Sequence, residues 1–154
     1  MLNLALGSRV IMPGSVTAEE MLECILASPI YVDLSSRSTG LEPSLIEAMA
    51  QKKIVIGSEL SPISEIIEDG IDGFLVRPAD VDTLAHLLDR LISDNQENKE
   101  EIGEKARLKV VEVFNRQKMI DSLINAYTQI LKNSGKFKRR ATLKSFFSKL
   151  TKTV

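Results

Sequence analysis

Apolar residues along the first half of this chain fall in short runs: Val10–Met12, Ile30–Leu34, Ile54–Gly57 and Phe74–Val76. Runs of this length without strict alternation are what strands buried on both faces of a parallel sheet look like. Between them the spacing turns helical. Thr17 and Glu20 make a capping box that opens a predicted helix through Ala27. Pro43 suits the first turn of the next, which is expected to run to about Lys52. A short helix over Ile63–Glu68 is expected to close at Asp69-Gly70, with a second turn at Asp72-Gly73 before the last strand. Strand and helix in alternation predict an α/β fold, a Rossmann-like parallel sheet with flanking helices.

After Asp80 the pattern is helical only. Asp80 is a good N-cap for Val81–Ile92, where Leu84, Leu87, Leu88 and Leu91 form one apolar stripe. A polar loop over Asp94–Lys99 is expected to lead into a helix around Glu100–Phe114, and Asn115 to cap a last helix over Met119–Leu131. Residues 1–132 therefore read as one α/β unit with C-terminal helices, and residues 133–154 as a separate tail.

Charge sharpens that division. The formal net charge is -1, but all 21 acidic residues lie at or before Asp121, and eight lysines and arginines lie from Lys132 onward. An acidic body argues against a nucleic-acid surface. In the tail, Leu143, Phe146, Phe147 and Leu150 recur at helical spacing among Arg139, Arg140, Lys144 and Lys149. That is a basic amphipathic segment suited to an anionic membrane surface; a disordered basic extension is the alternative. No apolar run is long enough to cross a bilayer. Single copies of cysteine (Cys24) and histidine (His86) leave no disulfide framework and no His/Cys metal set. A cytoplasmic location, peripheral on the inner membrane face, fits these features, with no metal and no cofactor expected.

The densest chemistry lies at S-R-S-T-G-L-E-P-S-L-I-E, Ser36–Glu47. A polar, glycine-containing turn follows an apolar strand and precedes a helix, which gathers backbone N–H groups suited to a phosphate. Glu47 on that helix would repel a phosphate but accept hydrogen bonds from sugar hydroxyls attached to one. The combination points to a nucleotide-sugar site.

These residues resemble the group 1 (family 4) retaining glycosyltransferases of the GT-B fold. The similarity runs through V-I-M-P-G (Val10–Gly14), Ser36–Ala50, V-I-G-S (Val55–Ser58), E-I-I-E-D-G (Glu65–Gly70) and G-F-L-V-R-P-A-D (Gly73–Asp80). It implies a partial C-terminal GT-B domain. Ser38, Thr39, Gly40 and Leu41 would hold the donor sugar and diphosphate, Glu47 the ribose, and Gly14, Ser15 and Val16 the nucleobase side. Arg37 stands as a candidate phosphate contact beside its plainer reading as a surface arginine. The implied reaction is hexose transfer from a nucleoside-diphosphate sugar, the substrate rather than a cofactor, to a glycan or lipid-linked acceptor with retention.

Three departures qualify the resemblance. The family pairs Glu47 with a second glutamate eight positions earlier, and Thr39 stands there; loss of a charge-assisted contact costs about 1–3 kcal/mol. Ser61-Pro62 replaces a glycine pair and removes one backbone N–H. The two strand–helix units that carry the family's basic pair, and which lie between the Val10–Met12 and Ile30–Leu34 strands, do not appear in this sequence. The expectation is an N-terminally truncated enzyme, or a chain completed by a missing N-terminal half or separate acceptor subunit. A non-catalytic nucleotide-sugar-binding or partner-binding subunit remains the alternative.

Overall fold

A computed structural model describes residues 9–37, 40–93 and 96–133. The elements in chain order are α1 (Ala18–Ala27), β1 (Ile30–Asp33), α2 (Pro43–Ala50), β2 (Ile54–Ser58), α3 (Ile63–Ile66), β3 (Phe74–Val76), α4 (Val81–Ser93), α5 (Gln96–Val113) and α6 (Arg116–Asn133). The chain divides into two compact units after Glu112.

In the first unit the three strands form one sheet in the order β1-β2-β3, all parallel. β2 is central and every residue in it is buried. Its side chains alternate across the sheet, as a strand's must. Val55 joins Ile25, Leu45, Ala48, Met49, Ile63, Ile67, Ala106 and Val110 on one face. Ile54 and Ile56 join Phe74, Val76, Leu87 and Leu91 on the other. Helices α1, α2, α3 and α5 thus cover one face and α4 the opposite one, the expected Rossmann-like sandwich. The leucine stripe of α4 is core: Leu87 and Leu91 are buried, and Leu84 and Leu88 pack against the same cluster.

Local signals fix most boundaries. Thr17 accepts from the Glu20 amide while the Glu20 carboxylate accepts from the Thr17 amide at 2.7 Å, the expected capping box of α1. Asp80 Oδ1 accepts from the Thr83 amide at 3.0 Å and starts α4. Lys52 adopts a left-handed φ of 59°, which ends the α2 turn two residues after Ala50. Ile67 is extended, which stops α3 at Ile66, short of the expected Glu68.

Three expectations need correction. Val10–Met12 is not a strand; its residues are 51%, 84% and 89% exposed. A strand exists only against a hydrogen-bonding neighbour, and no described strand lies beside this segment. The polar Gln96–Lys99 stretch is the first turn of α5 rather than loop, consistent with the helix propensity of Gln, Glu and Lys. In the second unit α6 begins at Arg116, immediately after its cap: Asn115 Oδ1 accepts from the Gln117 amide at 2.9 Å and the Lys118 amide at 3.1 Å. The tail residues Arg139, Arg140, Leu143, Lys144, Phe146, Phe147, Lys149 and Leu150 lie outside the described residues.

Candidate functional site at the carboxyl end of strand β1

In a doubly wound sheet, ligands bind outside the carboxyl ends of the strands. β1 ends at Asp33, and the chain then passes through the loop that feeds α2. Gly40 in that loop has φ +119°, a conformation that L side chains rarely adopt, and a Cβ there would meet open space. The residue is glycine for its backbone, not for want of room.

Packing fixes α2 at this end. Leu45, Ala48 and Met49 are buried beneath it, and Leu41 packs against the same cluster. The Tyr31 hydroxyl lies 2.7 Å from Ser44 Oγ and ties the first turn of α2 to β1. Glu42 occupies the N-cap in an extended conformation but makes no side-chain capping hydrogen bond. Pro43 has no N–H and the Leu45 amide donates to the Glu42 carbonyl at 3.1 Å, so Ser44 carries the first-turn amide that no side chain caps and that suits an acceptor-bearing ligand.

Glu47 sits on the outward face of α2 and is exposed, and its carboxylate makes no hydrogen bond or ion pair with another described residue. It is nevertheless part of a local acidic field. Burial raises the Tyr31 phenol above the ordinary tyrosine range; the Ser44 hydroxyl opposes that, and Asp33, Glu42 and Glu47 add to the rise. The three carboxylates thus act on one point between β1 and α2.

Of the other sequence-predicted residues, Leu41 and Gly40 lie on the loop as described, while Ser38 and Thr39 fall outside the described residues. Gly14, Ser15 and Val16 occupy the segment before α1, with Gly14 at φ +79°. No hydrogen bond among the described residues joins them to the α2 loop. Arg37 is exposed, and its carbonyl accepts from the Ser35 hydroxyl at 2.8 Å. Glu65, which opens the E-I-I-E-D-G motif, is engaged locally, accepting from Ser61 Oγ at 2.6 Å.

Tyr31, Asp33 and Ser44 escaped the sequence reading. A signal existed: Tyr31 and Asp33 alternate within an otherwise apolar strand, so both project to the face that α2 covers. A separate cleft of about 360 Å³ lies at the outer edge of β3, lined by Phe74, Leu75, Leu87, Thr83, His86, Arg90 and Asp69. Two strands separate it from β1. Among the described residues no group of three or more His, Cys, Asp or Glu is arranged to hold a metal ion.

Residues 1–109 match the family described as Glycosyl transferases group 1. This chain belongs to that family. It is 30% identical over 125 residues to an MMP alpha-(1->4)-mannosyltransferase of Mycolicibacterium hassiacum, covering 80% of this chain and 30% of the relative. Among solved structures it resembles sucrose-phosphate synthase of Thermosynechococcus elongatus, with TM-score 0.74 and 26% identity, covering 84% of this chain and 32% of that one. It also shares its fold with Anabaena HepE, crystallised in complex with UDP-glucose, with TM-score 0.69 and 22% identity, covering 79% of this chain and 34% of that one. This group 1 chain therefore spans about a third of the length of each relative, and its sheet and flanking helices are those of a GT-B glycosyltransferase domain.

Proposed function

We propose that the chain is the donor-binding part of a retaining, family 4 enzyme that transfers a hexose from a nucleoside-diphosphate sugar to a glycan or glycolipid acceptor. The observation that carries this reading is the uncapped start of α2 set against carboxylates at the carboxyl end of β1. Amides there suit phosphate oxygens, and an exposed acid suits ribose hydroxyls. In this reading Ser38, Thr39, Gly40 and Leu41 would contact the sugar and diphosphate, Glu47 would hold the ribose, and Gly14, Ser15 and Val16 would serve the base. Arg37 is the cation available to the phosphates. The chemistry asked of this part is binding and orientation: amides and Arg37 stabilise charge on the departing diphosphate, while the acceptor is presented by a partner half.

The tail from Arg139 to Leu150 would hold the protein on the anionic inner face of the cytoplasmic membrane, near lipid-linked acceptors. No described helix is long and apolar enough to cross a membrane.

Isothermal calorimetry with UDP- and GDP-hexoses tests the site. Glu47→Ala should weaken binding by about 1–3 kcal/mol, the worth of a hydrogen bond to a charged group. Absence of binding to any such donor would overturn the reading. A second reading, a non-catalytic nucleotide-sugar-binding subunit, is favoured by the acidic surroundings of the site; it predicts binding without transfer when an acceptor half is supplied.

A further inference from the structure

Asp33 carries a mismatch that the fold does not resolve. Its Oδ1 accepts from the Ser35 amide at 3.2 Å. Its Oδ2 is buried and has no hydrogen-bond partner. No ion pair among the described residues involves it. Tyr31, two positions back on the same strand face, is committed to Ser44. A buried carboxylate oxygen left without a donor costs stability, so its place at the mouth of a site asks for an explanation.

We propose that Asp33 is a further ligand-binding residue of the donor site, whose second oxygen accepts a sugar hydroxyl when the nucleotide sugar is bound. This inference rests on the donor-binding reading and extends it to a residue inside β1.

The chemistry selects the ligand group. A carboxylate accepts and cannot donate, and no described cation pairs with this one. The partner must therefore bring an O–H or N–H. A phosphate brings neither, and the neighbouring acids Glu42 and Glu47 disfavour it further. A hydroxyl of the hexose or of the ribose meets the requirement. The residue as a whole is partly exposed while Oδ2 itself is buried, so the carboxylate must turn for that oxygen to meet a hydroxyl at the loop. The resting protein then holds an unsatisfied acceptor whose cost ligand binding relieves.

A structural acid and a binding acid predict opposite results. The full chain is titrated with UDP-glucose, GDP-mannose, UDP and GDP, and its thermal midpoint is recorded for the wild type, Asp33→Asn and Asp33→Leu. The proposal expects the leucine variant to melt higher than wild type, because the unsatisfied oxygen is gone. It expects both variants to bind their ligand about tenfold or more weakly, the loss of one charge-assisted hydrogen bond. Equal weakening with UDP and GDP as well as with the sugar donors assigns the hydroxyl to ribose, which both share, whereas weakening with only one of the two nucleotides places the contact on a base N–H and overturns the hydroxyl. Weakening confined to the sugar donors assigns it to the hexose. If the wild type binds and both variants bind equally well, or both melt lower with affinity unchanged, Asp33 is structural and the inference is overturned while the donor site stands. If the wild type binds none of the four, the donor reading fails and this inference falls with it.

Discussion

Replacing Gly103 by alanine sets two established effects against each other. Gly103 lies inside α5, where helix propensity alone favours alanine by about 1 kcal/mol. Tertiary structure argues the reverse. A Cβ on Gly103 would lie 2.2 Å from the Lys52 carbonyl oxygen and 2.9 Å from its carbonyl carbon. Both are backbone atoms in a turn whose φ of 59° already lies in the left-handed region, so no side-chain rotation relieves the overlap. Either α5 withdraws, opening the contacts of Ala106 and Val110 with the first core cluster, or the turn between α2 and β2 shifts. Overpacking of this kind costs about 3 kcal/mol at the upper end of its usual range. Net of the propensity gain, the variant should lose about 2 kcal/mol, and a chain of this size should melt about 4–8 °C lower. Urea denaturation followed by circular dichroism measures the loss directly. Val111→Ala, on an exposed position of the same helix, serves as the control without a close contact. A Gly103→Ala protein as stable as wild type, or more stable, would show that α5 does not approach the Lys52 turn this closely.

Three further outcomes rest on the same packing and hydrogen bonding. Lys109 pairs with Asp72 and donates to the Ile66 carbonyl at 2.9 Å, while Asp72 also accepts from the Glu68 amide at 2.8 Å. Lys109→Met leaves the nearly buried Asp72 side chain without its cation. It should cost about 3 kcal/mol, the low end for a buried pair because Lys109 keeps 27% exposure; an unchanged urea midpoint would refute the pairing. Glu20 and Asp80 are both held below their ordinary values of 4.5 and 3.8, chiefly by hydrogen bonds from Thr17 and from the Thr83 amide. A depressed carboxyl contributes stability that is present above its unfolded value and lost as pH falls through the folded one. Helicity should therefore decline below that range in wild type, and less so in a Glu20→Gln, Asp80→Asn protein, where the same decline would refute the cap assignment. Sedimentation with anionic vesicles should pull down the full chain at low salt, and removal of the residues after Gly135 should abolish it; salt-independent or absent binding would reject the membrane tail.

Much of the fold was legible because burial and local chemistry agreed. Ile54–Gly57 is apolar throughout and became the fully buried central strand. Thr17, Asp80 and Asn115 each had the side chain that a helix start requires, and each caps one. Val10–Met12 failed for a reason that its composition cannot express: an apolar run becomes a strand only beside another strand, and none is described there. The Gln96–Lys99 turn failed because polar residues with good helix propensity look like loop when no apolar stripe marks them. At the site, the loop glycine and the helix start were readable from Gly40 and Pro43. The missing cap on α2 was not, because Glu42 at an N-cap position gives no sign of whether its carboxylate turns back onto the helix. Nor could sequence alone bring Ser44 to Tyr31, a contact set by how α2 leans on β1.

The two edges of the sheet are built differently, and the difference bears on how the site could be completed. At the β3 edge the outward Leu75 amide donates to Asp69 Oδ1 at 2.9 Å, and Asp69 bridges to Gly73, so that edge is covered. At the β1 edge no described strand pairs, and Val32 and Leu34 are 37% and 52% exposed. The sheet is closed to extension on one side and open on the other, and the candidate site lies at the end of the open-edge strand. Around that site stand Asp33, Glu42 and Glu47. Arg77, at the carboxyl end of β3, already faces Glu59 at 3.6 Å. On the proposed donor reading a diphosphate there would meet a main-chain amide and one nearby arginine, Arg37, against three acids, so any further cation reaching it would have to approach along the unpaired side of β1.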